Sequence, residues 1–576
     1  MTREDTVNES GDFFVLATAE MSDDRQRIVK QGDTFAVFDI YGDICRRRCG
    51  SHGLYSRGTR HLSYFALTLE GNDLLLLSSD VTRDNHLLVV DLANPDLVLA
   101  SGLSIPSGTL HVFRSKFLWE GCCYEKYRVK NYGLSPVTVR LGLAFDADFV
   151  DVFEVRGIKR HRRGKHLGPK IISKNRLEFS YAGLDDLLRK TRIDFSRQPD
   201  LLESNRADYL ITLDIDESIE LEVTVSCLSE QNGNSPEIGY SRAYTDSLST
   251  LRIAGYRECT IVTSNQHVNK LFERAMSDLR MLLTDEEGIQ YPYAGIPWFS
   301  TPFGRDGLIT AMETLWVNPD IGRDVLIFLS QRQSDSFSDT QDSEPGKILH
   351  EVRFGEMANC GDIPFSRYYG SVDSTPLFVM LAGQYFKRTS DFPFMIRLWP
   401  HVERALTWID RFGDLDGDGF IEYRRRSVHG IENQAWKDSH DSIFHENGAL
   451  AETPIAACEV QGYVYAAKME AALLAECLGY DKSAEALAAD ADQLKKRFEA
   501  FLLGRSYGRL RPGSGWQEKA LPGQRLQHGS LSLCRDCILR AGAQNSGTAY
   551  ARRLFQRLGD SNIGQRAAAI QSHVIP

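Results

Sequence analysis

The stretch HVNKLFERAMSDLRMLL, residues 267–283, marks a change of period in this chain of 576 residues. Its apolar residues recur at the three- and four-residue spacing of an amphipathic helix. Similar patterns follow over residues 304–316, 319–333, 373–388, 391–412, 454–478 and 482–503. The sequence therefore predicts a mainly helical second half.

The residues before this stretch follow another pattern. Short segments such as TFAVFDIYGDI (34–44) and DYLITLDIDESIELEVTVSCL (208–228) recur between Gly, Asp and Asn turns. Strands at this spacing, with no helical patterns between them, favour an antiparallel β-sandwich. We expect a sandwich over 1–240, a linker over 241–266 and a helical domain over 267–503.

Composition limits the kinds of partner. A formal net charge of −11 argues against a general nucleic-acid binder. No apolar run reaches the roughly 20 residues of a membrane span, and no secretory signal is visible. The eleven scattered cysteines suit reduced thiols in a cytoplasm, and we interpret the Cys534/Cys537 pair as chance. We therefore expect a cytoplasmic protein without a metal, nucleic-acid or membrane partner.

One charge cluster stands out in the β region, the basic run RGIKRHRRGKHLGPK over residues 156–170. We interpret it as a solvated loop between strands. The alternative is a polyanion site.

Three long loops, 284–303, 334–372 and 413–453, hold most of the unusual chemistry. The stretch GIENQAWKDSHDSI (430–443) contains Glu432, Asp438 and Asp441 beside Trp, Lys, His and amide side chains. This mixture suits a site that grips a hydroxyl-rich ligand and moves a proton. The alternative is a polar surface loop between helices.

Four further motifs carry candidate residues, and each has a structural alternative. GIPWFSTPFGRDG (295–307) suits a sugar platform with a hydroxyl clamp, or a helix N-terminus. GKILHEVRFGEM (346–357) could be an exposed charged segment, Asp373 in RYYGSVDSTPLF could cap a helix, and PIAACEVQGYVYAA (454–467) could be an ordinary amphipathic helix. The candidate ligand-binding residues are Trp298, Phe299, Arg305, Asp306, His350, Glu351, Asp373, Trp436, Lys437 and Glu459.

The segment DLDGDGFIEY (414–423) is similar to a calcium-binding loop. An EF-hand needs Glu at its twelfth position, where this chain has Arg425. We interpret the segment as a tight Asp/Gly turn, with calcium left open.

Taken together, these motifs resemble the glucosidase part of glycogen-debranching enzymes, the amylo-α-1,6-glucosidase family, in family order from about 290 to 470. The 1–240 region resembles the β-sandwich that precedes the helical barrel in bacterial members. The resemblance implies an (α/α)6 toroid that needs no cofactor. It also implies an inverting hydrolase that releases α-1,6-linked glucose from glycogen or another branched α-glucan.

The resemblance also implies residue roles. Inversion needs an acid and a base about 6.5–9.5 Å apart. Asp438 is the expected general acid, with a pKa raised by partial burial beside Trp436, and Asp441 is the second choice. Trp298, Arg305, Asp306 and Asp373 would bind the terminal glucose, and Glu351 and Lys437 would orient it.

The chain departs from the family after residue 503. A toroid needs twelve helices, about seven are visible by residue 503, and residues 504–576 lose the family pattern. Plausible codons regrouped by one base read DGKKRLCRVNASNTGHC, FSGWGIRT and LYNPMSY, which are similar to family motifs in family order. We therefore expect 504–576 to be an out-of-frame tail, which leaves the catalytic base unassigned and the toroid incomplete. Whether this chain is active without that base stays open at the level of sequence.

Two other functions remain open at the level of sequence. One is a non-catalytic α-glucan-binding protein that uses Trp298 and Trp436 as platforms. The other is a toroid hydrolase of a different α-glucoside, such as trehalose. Glucose release from a branched dextrin separates the first from an enzyme, and comparison of substrates separates the second.

Overall fold

The computed structural model describes residues 26–45, 50–99, 102–229, 237–255, 259–445 and 447–506. Antiparallel strands form its N-terminal part. The strands are β1 (Arg27–Gln31), β2 (Thr34–Phe38), β3 (Gly53–Ser56), β4 (Thr59–Leu62), β5 (Tyr64–Leu69), β6 (Leu75–Val81), β7 (Leu88–Ala93), β8 (Leu97–Val98), β9 (Ser104–Ile105), β10 (Leu110–Trp119), β11 (Cys122–Asn131), β12 (Val137–Asp146), β13 (Lys165–Ser173), β14 (Arg176–Ala182), β15 (Leu188–Phe195), β16 (Leu201–Leu202), β17 (Arg206–Leu213) and β18 (Ser218–Ser229).

Two large sheets face each other across one apolar core. The eight-stranded sheet has the order β13-β14-β15-β18-β11-β10-β7-β6, and a four-stranded sheet has the order β16-β17-β12-β5. Strands such as β5 and β15 alternate buried and partly exposed residues, as expected when one face covers a core. Phe145 of β12 contacts Phe179 and Phe195 of the larger sheet. The predicted antiparallel sandwich is confirmed.

Smaller sheets complete the β structure. Strands β1–β4 form a four-stranded sheet, and β8 pairs with β9. Residues 284–303, predicted to be a loop, instead contain β19 (Leu283–Glu286), β20 (Ile289–Gly295) and β21 (Phe299–Pro302). The loop prediction was wrong because polar residues pair across these short strands, while Tyr291 and Tyr293 are buried.

The C-terminal half is helical, as predicted. The longer helices are α2 (Tyr240–Gly255), α3 (Gln266–Leu282), α4 (Gly304–Thr314), α5 (Pro319–Gln331), α7 (Ser374–Thr389), α8 (Phe392–Trp408), α9 (Cys458–Leu478) and α10 (Asp481–Ser506). The short elements are α1 (Val152–Val155), α6 (Glu356–Asn359), a 3-10 turn (Pro364–Ser366) and a π-helical turn (Ile409–Gly413). Helices α3 to α5 and α7 to α10 follow the seven periodic patterns of the sequence, whereas α2 lies in the predicted linker.

The described residues divide into two compact units. The first contains the residues up to Gly370 together with Arg388–Ser390 and Arg426–Ile431. The second contains Ser371–Lys387, Asp391–Arg425 and the residues from Glu432 onward. The domain boundaries at 240, 266 and 503 stay predictions. The tail beyond residue 506, with its Cys534/Cys537 pair, lies outside the described residues.

Two findings concern membrane spans and the state of the cysteines. Within the described ranges, no helix is both long enough and apolar enough to cross a membrane. The cysteines of those same ranges, which include the adjacent pair Cys122 and Cys123, are all free thiols.

Helix α6 is fixed to the sandwich by two buried carboxylates. Asp151, only 1% exposed, accepts hydrogen bonds from the backbone N–H of Phe153 (3.0 Å) and of Met357 (3.1 Å). Glu356 of α6 accepts one from the Tyr181 hydroxyl (2.9 Å) and one from the Leu184 N–H (2.6 Å). The sandwich and the segment before α7 therefore share one hydrogen-bond network.

Replacing Asp151 with alanine tests this network. Asp151→Ala leaves two buried N–H groups unpaired, so we expect the free energy of unfolding to fall by about 2–4 kcal/mol. Urea denaturation measures the change. The control is Asp73→Ala, at an exposed position. A loss equal to that of the control would show that Asp151 does not hold α6.

A second buried hydrogen-bond cluster joins β20 to the turn between β1 and β2. The Tyr293 hydroxyl lies 2.6 Å from Asp33 Oδ1 and also within hydrogen-bond distance of Glu286 Oε1. A phenol has one proton, so one of the two carboxyls must supply a proton of its own. Burial, and then the charge of Asp33, raise the pKa of Glu286 to about 7. Glu286 therefore takes up a proton as pH falls through about 7.

We expect this cluster to make stability depend on pH near neutrality. A buried acid with a raised pKa holds its proton in the folded state after the unfolded chain has lost it, so stability falls as pH rises through the folded pKa. Burial also raises the pKa values of Asp43 and Asp151 to about 6, which gives the same sign at lower pH. Glu286→Gln keeps a donor to Tyr293 and should flatten the decline between about pH 5 and 7, the interval between the unfolded and the folded pKa of Glu286.

Thermal unfolding at several pH values measures this slope. Glu287→Gln, at the exposed neighbouring position, is the control and should keep the wild-type slope. An unchanged slope in Glu286→Gln would mean that Glu286 does not titrate in this range.

Candidate active site

The first group of predicted residues lies where β21, α4 and the 346–357 segment meet in the first unit. Phe303 and Glu351 form a β-bridge, and the Gly304 N–H donates to the His350 carbonyl (2.7 Å). Arg305, His350 and Glu351 are all buried, and Asp306 lies half-buried in the first turn of α4. The structure thus brings these four predicted residues to one place, and it excludes an exposed charged segment at 346–357.

The surroundings keep His350 neutral. Its ring packs edge-on against Phe303 and Tyr368, with ring centres 5.6 and 5.9 Å away. Burial, and then the positive charges of Arg305 and Arg353, lower its pKa well below the usual value. Its Nδ1 is buried and has no hydrogen-bond partner among the residues that the structure describes. A neutral imidazole here can donate or accept a hydrogen bond but carries no charge at neutral pH.

Trp298 and Phe299 flank a pair of arginines. Arg353 donates from Nε to Glu351 Oε2 (2.7 Å) and from Nη1 to the Trp298 carbonyl (2.9 Å). The Arg156 guanidinium lies 5.8 Å from the Trp298 ring and 5.3 Å from the Phe299 ring. Sequence reasoning missed Arg156 because the whole basic run was assigned to a loop in solvent.

That assignment is wrong for part of the run. The Arg160 side chain is only 3% exposed and forms an ion pair with Glu356 (2.9 Å), while β13 begins at Lys165. The run therefore includes structural charges that are paired with residues about 200 positions away.

Two side chains hold the 426–431 segment in the first unit: Tyr368, which lies in the RYYGSVDSTPLF motif, and Asp342, which sequence reasoning missed. Asp342 Oδ1 accepts from the backbone N–H of Arg426 (2.7 Å) and Ser427 (3.0 Å). The Tyr368 hydroxyl donates to Asp342 Oδ2 (2.6 Å) and accepts from the Ile431 N–H (2.8 Å). The chain thus enters the 430–443 stretch at a fixed position.

The second group lies in the second unit, around the buried hydroxyl of Tyr423. Burial raises the pKa of Tyr423, and the negative charges of Glu459, Glu432 and Asp373 raise it further. Asp373 is fully buried, whereas Glu432 and Glu459 are half-buried. Three carboxylates from separate segments thus converge on one phenol, and only two of them were among the predicted residues.

Asn433 closes the loop that carries the predicted acids. Its Oδ1 accepts from the Tyr423 hydroxyl (2.9 Å), and its Nδ2 donates to the carbonyls of Ser439 (2.7 Å) and His440 (3.3 Å). Ser442 adds a hydrogen bond to the Lys437 carbonyl (2.6 Å). Residues 437–442 therefore form a tight turn anchored from inside.

The side chains of this turn reach solvent to different extents. Asp438 is half-buried, while Lys437 and Asp441 are exposed. Trp436 is 56% exposed, so an aromatic face is available for stacking on a ligand.

The acidic loop at 414–422 is an Asp/Gly turn, as predicted. Asp414 accepts from the N–H groups of Gly417 (2.7 Å) and Gly419 (2.9 Å), both of which have positive φ. Asp414, Asp416 and Glu422 each place a carboxylate oxygen within 4.8 Å of the other two. Burial, and then the charge of Asp416, raise the pKa of Glu422 to about 7. Oxygen ligands of this kind suit a hard divalent cation.

The predicted residues thus form two groups, one in each compact unit. Trp298, Phe299, Arg305, Asp306, His350 and Glu351 belong to the first; Asp373, Trp436, Lys437, Asp438, Asp441 and Glu459 belong to the second.

Part of the chain matches a known protein family. Residues 29–224 match the family described as the N-terminal domain of some glycogen debranching enzymes. No curated protein matches the chain.

Three solved structures are similar to the chain. They are a protein described as a kojibiose phosphorylase from the human microbiome (11% identity, TM-score 0.48), a bacterial glucoamylase complexed with acarbose (13%, 0.46) and a GH78 rhamnosidase of Bacillus sp. GL1 (13%, 0.32). The matches cover 82%, 81% and 70% of this chain. The chain in turn spans 67%, 63% and 34% of theirs.

The described part is thus a protein with an N-terminal antiparallel sandwich and a helical second half whose loops are rich in carboxylates. Residues 29–224, which form most of this sandwich, are similar to the N-terminal domain of some glycogen debranching enzymes.

A charge placed at Asn433 tests the anchor of the 437–442 turn. In Asn433→Asp a carboxylate oxygen would face the carbonyls of Ser439 and His440 instead of an N–H donor. We expect the amides of residues 437–442 to exchange with deuterium at least about tenfold faster, because each lost contact and each new repulsion is of order 1 kcal/mol or more.

Hydrogen exchange followed by mass spectrometry reports on this segment. Asn447→Asp is the matched control, because Asn447 is exposed and accepts only a local hydrogen bond from Ala449. Equal exchange in both variants would show that Asn433 does not order the loop.

Proposed function

We propose that this chain is a glycoside hydrolase of the glycogen-debranching type, which hydrolyses α-1,6-linked glucose at the branch points of an α-glucan with inversion. The observation that carries the proposal is the match of residues 29–224 to the N-terminal domain of debranching enzymes. The helical second half, which resembles the glucosidase part of the same enzymes, supplies the chemistry.

Asp438 is the proposed general acid, with Asp441 as the second choice. A glycosidase acid must protonate the leaving oxygen, and it must therefore be held firmly and reach the substrate. The Asn433 anchor supplies the first property for the 437–442 turn. The half-buried position of Asp438 is consistent with the second, whereas Asp441 is more exposed.

The other predicted residues have roles in holding the sugar. Trp436 and Trp298 offer aromatic faces for pyranose rings, and buried polar groups such as Arg305, His350, Glu351 and Asp373 suit hydroxyl recognition. Phe299, Asp306, Lys437 and Glu459 complete the proposed binding set. Glu432 joins it because its charge acts on the same phenol as Asp373 and Glu459.

The decisive experiment measures glucose release from a branched limit dextrin by the full chain. Removal of a general acid lowers a rate by about 10²–10⁴-fold, so Asp438→Asn should abolish detectable release. Asp441→Asn is the matched control and should retain most of the activity. The anomer formed first, followed by proton NMR, should be β if the reaction inverts.

Other outcomes favour the alternatives. Dextrin binding without turnover by the wild type, unchanged in Asp438→Asn, would favour a non-catalytic glucan-binding protein. Release of glucose from trehalose but not from dextrin would favour a hydrolase of another α-glucoside. Equal loss of activity in Asp438→Asn and Asp441→Asn would contradict the assignment of the acid.

A further inference from the structure

Two donor atoms of the Arg156 guanidinium stand out among the buried polar atoms. Its Nε and Nη2 atoms are both buried, and neither has a hydrogen-bond partner among the residues that the structure describes. These two N–H groups lie on the same edge of the guanidinium, the edge that binds two oxygens of a carboxylate or phosphate side by side. Buried charged donors without a partner are rare in folded proteins, because leaving them unpaired is costly.

Aromatic rings surround the guanidinium. The rings of Phe153, Trp298 and Phe299 have their centres 5.5, 5.8 and 5.3 Å from the Arg156 guanidinium carbon. Such rings interact with the flat faces of the cation but offer no acceptor in its plane. The edge with Nε and Nη2 is therefore held in place and left for an acceptor that comes from elsewhere.

The local charge shows which kind of acceptor is missing. Arg353 lies close by, and the single negative charge of Glu351, which accepts the Arg353 Nε–H at 2.7 Å, acts on both guanidinium groups. Burial, and then the charge of Arg353, lower the pKa of Arg156 to about 9. A neutral hydroxyl would satisfy the donors but would leave the excess positive charge, whereas an anion satisfies both.

We propose that Arg156 is the principal binding group of an oxyanion site, for a phosphate or carboxylate group, in the niche bounded by Phe153, Trp298 and Phe299. Phe299 is 43% exposed, so its ring can turn outward and admit a ligand without disturbing the core. The ligand is either a free oxyanion or one carried on a sugar. The inference is independent of the proposed hydrolysis, because it concerns binding alone.

The test is isothermal calorimetry on the full chain at constant ionic strength. Inorganic phosphate, glucose 6-phosphate and glucuronate are titrated separately, with sodium chloride as the blank. Binding of inorganic phosphate would identify a free oxyanion as the ligand, and binding of only the sugar-borne anions would identify the second source. Either result supports the site, and binding of none of the three overturns it.

Two substitutions assign any binding to Arg156. Arg156→Lys keeps the positive charge but loses the two-pronged edge, so affinity should fall at least about tenfold. The matched control is Arg192→Lys on β15, where Asp194 already occupies Nε (2.9 Å). Affinity in this control should equal that of the wild type. Equal affinity in Arg156→Lys and the wild type would overturn the proposal.

A stability measurement separates a ligand site from a structural role. Arg156→Met removes an uncompensated charge and fills the aromatic niche with an apolar side chain. Without ligand, its Tm should equal or exceed that of the wild type, and the three anions should no longer raise it. A Tm well below the wild-type value would show that the arginine serves packing and would contradict the proposal.

Discussion

The interaction on which the first unit depends is the pairing of two buried carboxylates with donors from distant segments. Asp151 of the sandwich accepts the N–H of Met357, and Glu356 accepts the Tyr181 hydroxyl and the Leu184 N–H. A carboxylate removed from water is tolerated only when such partners replace its hydration. The segment with His350, Glu351 and Arg353 ends at α6, so these contacts position it against the sandwich. A Cβ at Gly355 would collide with the Asp151 carboxylate, and the residue before α6 is therefore glycine.

Buried polar side chains also hold the long loops, and in both units a tyrosine hydroxyl takes part. In the first unit, Tyr368 and Asp342 fix residues 426–431 through backbone N–H groups. In the second unit, Tyr423 fixes Asn433, which closes the 437–442 turn. A loop without regular structure gains a defined conformation when a buried polar side chain forms hydrogen bonds with its backbone. Candidate ligand-binding groups can then lie on loops and still be held precisely enough for chemistry.

Two arginines of the basic run after α1 have different roles because their surroundings differ. Arg160 is neutralised by Glu356 and serves the fold. Arg156, four residues earlier, lies among aromatic rings without a hydrogen-bond partner for Nε or Nη2 in the described part of the chain. Nη1 and Nη2 of Arg160 also lack a well-aligned hydrogen bond there, so the two arginines differ in the ion pair that Arg160 forms with Glu356. A buried charge without a counter-charge is costly, and this difference supports the proposed oxyanion site. The niche borders Trp298, and the N-terminal domain therefore contributes directly to the surface that holds the candidate sugar platform.

The sequence by itself determined the elements whose signal is local. Apolar residues with a period near two predicted the sandwich strands, and apolar residues with a period near 3.6 predicted seven helices. Both patterns can be read from neighbouring positions in the sequence. It also located the loops rich in carboxylates, and the motifs at 295–307 and 346–357 do meet in space. Tertiary structure decided what depends on partners remote in sequence. The sheet at 283–302, the hydrogen bond between Tyr293 and Glu286, the burial of Arg160 and the anchor at Asn433 are of this kind. Tyr293 lies 260 residues from Asp33, and Met357 lies 206 from Asp151. Desolvation and pairing of polar groups depend on which residues surround them after folding, and no local pattern of residues specifies that environment.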